Sequence, residues 1–256
     1  MRVIRAAARL QIAQLSVNLF MLFTVLVQPF FIAVTAMYLL RHRGDFDPMY
    51  VVVGAGLSGL WSVALFDGAW AIQSERWQGT LELVSVSPAP LLLVLGGRLV
   101  GSMVFSLLSM AVSYAIGAWL FGYELVVRAP VGFVVALLFG LASLWAMGIL
   151  FAPIAILWRA AARFLNVMEY PVYIAAGFLF PILLLPAWSR PASYALPPYW
   201  AAVALHGTAA GELDAPALAA ALAVLTVGSV VAVGCAQVLL GQALLRARRD
   251  GTLALS

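Results

Sequence analysis

The sequence predicts an all-α, polytopic membrane protein that forms one transmembrane domain over residues 1–256. Hydrophobic residues make up 65% of the chain and charged residues only 9%, whereas a soluble domain carries about 45–50% apolar and roughly 25% charged residues. Six apolar windows are each long enough to cross the hydrocarbon core of a bilayer as a helix. The short alternating segments of an outer-membrane barrel are absent, so we expect six transmembrane helices.

These six spans are expected at residues 19–40, 50–72, 99–121, 131–157, 167–188 and 217–245. All 14 basic residues are arginines, and arginine near span ends is retained on the cytoplasmic side. With the N-terminus inside, the cytoplasmic set is Arg2, Arg5, Arg9, Arg76, Arg98, Arg159, Arg163, Arg246, Arg248 and Arg249, and the outer set is Arg41, Arg43, Arg128 and Arg190. Both termini are therefore predicted to be cytoplasmic. The net charge of +4 reflects this topology, with a contribution from contact with anionic lipid headgroups, and it requires no nucleic acid.

The first 16 residues predict an amphipathic helix that lies in the inner membrane interface before the first span. At 100° per residue, one face is basic and the opposite face is apolar. The basic face holds Arg2, Arg5 and Arg9, and the apolar face holds Val3, Ile4, Ala7, Leu10 and Leu15. Polar residues at 11, 14 and 18 and the lack of a cleavage pattern exclude a signal peptide. A frayed basic tail is the alternative interpretation.

Missing residue types limit the chemistry of this chain. The two histidines, His42 and His206, are expected in loops, and the single cysteine, Cys235, falls in the last span. No HExxH motif or other metal-ligand spacing is present. The chain also contains no lysine, which a Walker A loop requires for the β and γ phosphates of ATP. We therefore expect no catalytic residue, no metal and no cofactor here, and any ATP hydrolysis must occur in another polypeptide.

One short motif suggests an enzyme alternative. Gly56-Leu57-Ser58-Gly59 has the form found at the nucleophile of rhomboid-like intramembrane proteases, where a histidine activates the serine. His206 is expected in a polar loop near the same side of the membrane as Ser58. Gly and Ser are also common where membrane helices pack closely, and we favour that interpretation.

Residues 74–90 form the most polar run in the first half of the chain, SERWQGTLELVSVSP followed by Ala and Pro. The arginine distribution predicts that this segment lies in the cytoplasm between spans two and three. Thr80 precedes apolar positions with helical spacing, and Pro88 and Pro90 act as stop signals. The pattern predicts a short amphipathic helix that needs a partner; a solvated connector is the alternative.

The same segment resembles the signature of type-2 ABC export permeases, the group that includes drug, Nod-factor and polysaccharide exporters. The shared residues are Glu75, then Gly79-Thr80-Leu81-Glu82, then Ser87-Pro88, in that order and after a second span. In that family the segment is a coupling helix that docks on an ATPase subunit. The resemblance implies that the docking segment comprises Glu75, Arg76, Gly79, Thr80, Leu81, Glu82, Ser87 and Pro88.

The resemblance extends over most of the chain. The family has six spans, both ends inside, an amphipathic helix before the first span, and short outer helices between spans five and six, here at residues 189–216. Leu196-Pro197-Pro198-Tyr199-Trp200 with the later Gly211 is similar to the Asn-Pro motif of the family. Pro197 stands where Asn is usual. The resemblance implies that the segment around Pro197 and Pro198 closes the translocation path.

Two carboxylates fall inside predicted spans. A carboxylate at the centre of a membrane helix costs roughly 2.5–3.5 kcal/mol on insertion scales, so it should face protein or water. We expect Asp67 to contact substrate or pair with Arg98 or Arg163, and Glu169 to pair with Arg159 or Arg163. The alternative is that both carboxylates are partly hydrated residues near the span ends.

Together these features predict the permease subunit of an ATP-driven exporter in a bacterial plasma membrane. The resemblance implies two ATPase subunits, which carry ATP and Mg²⁺, and a second permease, either identical or similar. An apolar interior, in which Phe30 and Phe31 are candidate lining residues, favours a hydrophobic or amphipathic substrate such as a drug, antibiotic or lipid. The alternatives are a lipid-linked polysaccharide exporter, a channel or scaffold without enzymatic activity, and the protease that uses Ser58.

Overall fold

Helices account for all the regular structure in the described residues, which are 2–17, 19, 27–40, 47–77, 91–158 and 161–249 of a computed structural model. Nine α-helices and one 3-10 helix fall in these ranges, and no strand does. The helices are α1 Arg2–Val17, α2 Gln28–Leu40, α3 Pro48–Trp77, α4 Leu91–Trp119, α5 Pro130–Leu157, α6 Ala161–Ala175, the 3-10 helix Ile182–Leu184, α7 Arg190–Tyr194, α8 Pro197–Ala210 and α9 Ala215–Arg249.

Four helices are long and apolar enough to cross a membrane. These candidate spans are Pro48–Gly68 in α3, Leu91–Trp119 in α4, Pro130–Ala155 in α5 and Ala215–Ala243 in α9. They correspond to the second, third, fourth and sixth expected spans and confirm a helical protein of the membrane class. In the first expected span, residues 20–26 lie outside the described residues, and α2 contributes the shorter apolar stretch Pro29–Leu39.

Helix α3 is the central helix of the bundle. Every residue from 51 to 65 is buried, and 89% of the most apolar stretch of α3 is buried, against 17% in α9. Helices α2, α4, α5, α6 and α8 all pack on α3. A side chain at Gly68 would collide with the backbone carbonyl of Gly148, so α3 and α5 cross with their backbones in contact. Glycine at both positions permits this close approach, and small residues are typical of the contacts between membrane helices.

The expected helix over residues 167–188 is not continuous. Helix α6 ends at Ala175, and Gly177 adopts a φ of +70°, a left-handed conformation that glycine accepts at little cost. Pro181 and Pro186 follow, and neither has an N–H to donate to a helix. Turns and the 3-10 helix Ile182–Leu184 therefore occupy the second half of the expected span, and α7 begins only after its end.

His206 was expected in a polar loop, but it lies on helix α8, which spans residues 197–210. Pro197 and Pro198 occupy the first turn of α8, where the missing proline N–H groups are not needed. Gly211 ends the helix with a φ of +69°, as glycine does in left-handed caps. Helices α7 and α8 match the short helices expected between residues 189 and 216, and α8 packs against α3, α5 and α9.

Helices α1 and α8 lie at opposite ends of the bundle. Helix α1 packs on the first half of α4 and reaches α3 at Asp67, whereas α8 reaches α3 at Tyr50. These two positions are 17 residues apart on one helix, which corresponds to about 25 Å at a rise of 1.5 Å per residue. We refer to the two ends as the α1 end and the α8 end.

Candidate functional site

Polar side chains interrupt the apolar helix α3 at Tyr50, Ser58, Ser62 and Asp67. Ser58, Ser62 and Asp67 are buried and Tyr50 is half-buried. A polar group in an apolar interior requires a hydrogen-bond partner, and each of these side chains has one. The Ser58 hydroxyl bonds within α3, and the other partners come from neighbouring segments and form three polar clusters along α3.

The first cluster joins α1, α3 and α4 at the α1 end. The amide nitrogen Nε2 of Gln11 donates to Ser102 Oγ at 3.0 Å and to Asp67 Oδ2 at 3.4 Å. The amide oxygen Oε1 of Gln11 accepts a bond from Arg98 Nε at 3.0 Å. Gln11 therefore bridges the cation and the anion of this cluster, which we call the Gln11 cluster.

Glycines of α4 allow α1 to approach this closely. A Cβ atom at Gly97 would lie 2.6 Å from the carbonyl oxygen of Ile4, and one at Gly101 would lie 2.7 Å from that of Ala8. Gly97 and Gly101 are four residues apart and so lie on one face of α4. Arg98 follows the first of these glycines. The backbone of α1 rests on this face and brings Gln11 into the bundle.

Of the two surroundings expected for Asp67, protein or water, the structure shows protein, because its side chain is only 8% exposed. The expected partner Arg98 belongs to the same cluster, with its bond to Gln11 linking the two charged residues. The bond between Gln11 and Asp67 was not predicted from the sequence. The polar residue at position 11 was used only as an argument against a signal peptide. The available signal was its position on the apolar face of α1, one turn after Ala7 and one turn before Leu15, both of which are buried.

The second cluster joins α3 and α6. Glu169 Oε1 accepts bonds from Ser62 Oγ at 2.5 Å and from the hydroxyl of Tyr173 at 2.7 Å. The Tyr173 hydroxyl also lies 3.1 Å from the carbonyl oxygen of Ser58. Glu169 is 4% exposed, so this carboxylate also faces protein. We call these residues the Glu169 cluster.

The two arginines expected to pair with Glu169 are not among the described side chains. Arg159 and the side chain of Arg163 both lie outside the described part of the chain, so those two pairings stay predictions. The hydroxyl groups of Ser62 and Tyr173 are the partners that sequence reasoning missed. Tyr173 lies four residues after Glu169 on α6, a spacing that places both side chains on one helix face.

The third cluster joins α3, α8 and the turn after α6. The rings of Tyr50 and His206 are stacked, with 3.6 Å between centroids and 6° between planes. The Tyr50 hydroxyl donates to the carbonyl oxygen of Gly177 at 2.8 Å, and His206 Nε2 lies 3.2 Å from that of Phe178. Burial lowers the pKa of His206 to about 3, so the imidazole is neutral at physiological pH and Nε2–H can donate to this carbonyl.

The GxSG motif is a packing motif in this structure. Side chains added at Gly56 and Gly59 would meet Met110 of α4 and Pro29 of α2, respectively. Ser58 is fully buried, and its Oγ donates to the carbonyl oxygen of Gly54 one turn earlier on α3 at 2.8 Å. His206 bonds to the turn after α6 instead. The structure therefore gives Ser58 and His206 separate partners and forms no nucleophile–base pair between them.

Helix α3 continues through the first residues of the predicted docking segment. The backbone of Glu75 and Arg76 belongs to the last turn of α3, which ends at Trp77. Helix α4 then begins at Leu91. The remaining docking residues lie outside the described residues, namely Gly79, Thr80, Leu81, Glu82, Ser87 and Pro88.

The other predicted path residues are spread over two helices. Phe30 and Phe31 of α2 contact each other edge to face at 5.3 Å, and Phe31 is exposed. Pro198 is buried in α8. Pro197 lines an apolar groove of about 380 Å³ between α9 and the α7–α8 segment, together with Tyr194, Ala195, Trp200, Ala223, Val224, Val227 and Gly228.

No protein-family model matches this chain, and no curated protein matches it. Among the described residues, no group of three or more His, Cys, Asp and Glu side chains is arranged to hold a metal ion. The side chains of the three clusters donate and accept hydrogen bonds between elements of the bundle. Each cluster fixes a helix of the periphery to the central helix α3.

Proposed function

We propose that this chain is the membrane subunit of a type-2 ABC exporter that moves a hydrophobic or amphipathic molecule out of a bacterial cell. The observation that carries this proposal is the Glu75, Gly79-Thr80-Leu81-Glu82, Ser87-Pro88 signature, which begins in the last turn of α3 and precedes α4 in the sequence. The chain has no lysine for a Walker A loop. A separate ATPase subunit, in two copies, would bind ATP and Mg²⁺ and would dock on this signature.

The course of α3 supports a coupling role for the segment that follows it. Helix α3 runs without interruption from Pro48 to Trp77, about 45 Å at 1.5 Å per residue. Its last turn contains Glu75 and Arg76 of the docking segment. Because a continuous helix moves as one rigid element, a displacement of the docking segment would be transmitted directly to α3.

The three polar clusters would distribute that motion. The Gln11 cluster joins α3 to α1 and α4, and the Glu169 cluster joins α3 to α6. At the α8 end, the Tyr50–His206 stack joins α3 to α8 and to the turn after α6. We propose that α8 and this turn form the outer closure, which opens when α3 moves. An ATP-driven shift between inward and outward states requires that nucleotide bind the two states with different affinity.

The apolar surroundings support an apolar substrate class. Helix α5 contains no charged residue between Pro130 and Leu157, and the groove beside Pro197 is lined mainly by apolar side chains. Phe30 and Phe31 would line the path between two permease subunits. The proposed assembly is two permeases, identical or similar, with two ATPase subunits.

The experiment that tests this function is co-purification of the chain with an ATPase subunit, followed by ATP-dependent export in proteoliposomes. Glu82→Arg should abolish both the association and the export while the amount of membrane-inserted protein stays normal. Glu124→Arg is the matched control, because Glu124 is an exposed glutamate in the connection between α4 and α5. Association and export that survive Glu82→Arg, or transport without any ATPase, would reject the proposal.

A further inference from the structure

Helix α1 presents three arginines on the side that faces away from the bundle. Arg2, Arg5 and Arg9 are exposed, and at 100° per residue they lie within 60° of one another. The opposite side of α1 is buried on α4 through Ala7 and Gln11. The three arginines therefore form a continuous basic surface, which we call the arginine face.

Among the described side chains, no acidic group pairs with this surface. The first 44 residues of the chain contain no Asp or Glu. In the described parts of the chain, no ion pair involves any of the three arginines. Three like charges within about two turns of one helix repel one another, so an external anion lowers the energy of this arrangement.

Apolar side chains border the arginine face on both sides. Leu10 and Val17 are exposed on one flank and Ile12 on the other. A helix with arginines on its polar face and exposed aliphatic side chains beside them is typical of helices that lie in a membrane interface. A soluble anion in water would neutralise the arginines but would leave these aliphatic side chains exposed.

We propose that the arginine face of α1 binds the headgroups of anionic phospholipids at the surface of the bilayer. The phosphate groups would neutralise Arg2, Arg5 and Arg9, while the acyl region would cover the aliphatic flanks. Zwitterionic lipids supply the apolar region but no net negative charge. The surface therefore distinguishes lipids by charge, and screening by salt weakens the preference.

Lipid bound at the arginine face would also affect the position of Gln11, because both lie on α1. Gln11 lies on the buried side of the same helix and bonds to Asp67 and Ser102. Anionic lipid that holds α1 on the bilayer surface therefore holds Gln11 in its cluster. This lipid contact requires only that the chain lies in a bilayer, so it does not rest on the proposed transport function.

A fluorescent label at position 6 would test the lipid preference in the full chain. The label is attached to Ala6→Cys in a Cys235→Ala background, because Ala6 is exposed on α1 and Cys235 is exposed. The labelled protein is reconstituted into phosphatidylcholine bilayers, and quenching is compared between spin-labelled phosphatidylglycerol and spin-labelled phosphatidylcholine. We expect phosphatidylglycerol to be strongly preferred at low salt and the preference to shrink as NaCl rises from 50 to 500 mM.

Substitution of the arginines gives the second arm of this experiment. Each basic residue near an anionic surface contributes a factor of about five in affinity, so the variant with Arg2→Gln, Arg5→Gln and Arg9→Gln should lose the preference almost completely. Arg128→Gln is the matched control, since Arg128 is exposed just before α5, away from α1, and should leave the preference unchanged.

Two outcomes would overturn the proposal. One is equal quenching by the two lipids at low salt in the unsubstituted protein, a measurement that does not depend on any variant folding. The other is a preference that persists in the triple variant with an unchanged melting temperature. If the triple variant does not fold, the single variant Arg5→Gln must show about a fivefold weaker preference than Arg128→Gln.

Discussion

The rings of Tyr50 and His206 lie parallel with 3.6 Å between their centroids, and the two residues bond to consecutive carbonyl oxygens of one turn. These carbonyls belong to Gly177 and Phe178, where α6 has just ended. The Phe178 carbonyl also occupies the space that a side chain at Gly54 would need. The break in the chain after α6 is therefore held on α3 by a stacked pair and by direct backbone contact.

The first prediction concerns the pH dependence of stability at this stack. Burial lowers the pKa of His206 from 6.5 to about 3. Between these two pH values the imidazole is protonated in the unfolded chain but neutral in the folded protein. The stabilising contribution is complete above pH 6.5 and falls as the pH drops toward 3, with a slope of up to about 1.4 kcal/mol per pH unit. Melting temperatures measured from pH 7.5 to 4.5 should therefore decrease.

The variant His206→Phe provides the comparison for this prediction. Phenylalanine can stack on Tyr50 but has no titratable group, so its melting temperature should decrease less between pH 7.5 and 4.5. Carboxylates elsewhere titrate equally in both proteins. The difference between the two curves of melting temperature against pH therefore gives the contribution of His206. Parallel curves over this pH range would show that His206 is not a buried neutral imidazole.

The second prediction is that Gln11→Leu destabilises the protein more than Gln14→Leu. Gln11 is buried and bonds to Asp67, Arg98 and Ser102, whereas Gln14 is an exposed residue of the same helix. Leucine at position 11 leaves buried polar groups without a partner, which costs about 1–3 kcal/mol. Thermal unfolding in detergent micelles measures the difference, and equal melting temperatures for the two variants would contradict the Gln11 cluster.

The third prediction concerns the contact of α1 with α4. A Cβ atom at Gly97 would lie 2.6 Å from the carbonyl oxygen of Ile4, so Gly97→Ala must push α1 away from α4. Gly241→Ala is the matched control, because no atom lies within 4 Å of a Cβ built at that helical glycine. Alanine favours a helix over glycine by about 1 kcal/mol, so the control should be neutral or slightly stabilising.

Proteolysis provides a local readout for the same pair of variants. Displacement of α1 in Gly97→Ala should make trypsin cut faster after Arg2, Arg5 and Arg9, while Gly241→Ala should be cut at the unsubstituted rate. Identical cutting rates and melting temperatures in the two variants would mean that α1 does not rest on Gly97.

The parts of the fold that could be predicted from the sequence are those in which composition and helical period agree. Uninterrupted apolar runs identified the four long spans, and the arginine period identified α1. The break after α6 could not be read from hydropathy, because residues 176–188 are apolar whether they form a crossing helix or a turn packed on α3. The local signals were Gly177 and Pro181, a glycine and a proline that interrupt a helix for different reasons.

The polar clusters were predicted only in part. Asp67 and Glu169 were recognised because a carboxylate in an apolar span has a high free-energy cost and is therefore rare. Their hydroxyl and amide partners were not, because Ser62, Tyr173 and Gln11 also occur in membrane segments without such a role. Only the crossing of the helices decides which polar residues meet. A hydrogen-bond partner from a distant helix cannot be inferred from the spacing within one helix.

The fourth prediction is that Asp67→Ala impairs export more than it impairs assembly. The substitution removes the carboxylate that links α3 to α1, but Gln11 keeps its bonds to Ser102 and Arg98. The protein should therefore insert and accumulate normally while coupling between α1 and α3 weakens. Export into vesicles, divided by the amount of inserted permease, measures the effect. Unchanged export at normal expression would refute this role of Asp67.

The fifth prediction is that removing the Tyr173 hydroxyl from the Glu169 cluster destabilises the protein more than removing the exposed hydroxyl of Tyr170 on the same helix. Tyr173→Phe removes the hydroxyl that donates to Glu169, so a buried carboxylate loses one of its donors. Tyr170→Phe is the matched control, since the ring of Tyr170 lies 5.7 Å from that of Tyr173 but is exposed. We expect Tyr173→Phe to cost about 1–2 kcal/mol and Tyr170→Phe almost nothing. Thermal unfolding of both variants measures this difference, and a Tyr170→Phe loss as large as that of Tyr173→Phe would show that the cluster does not hold α6 on α3.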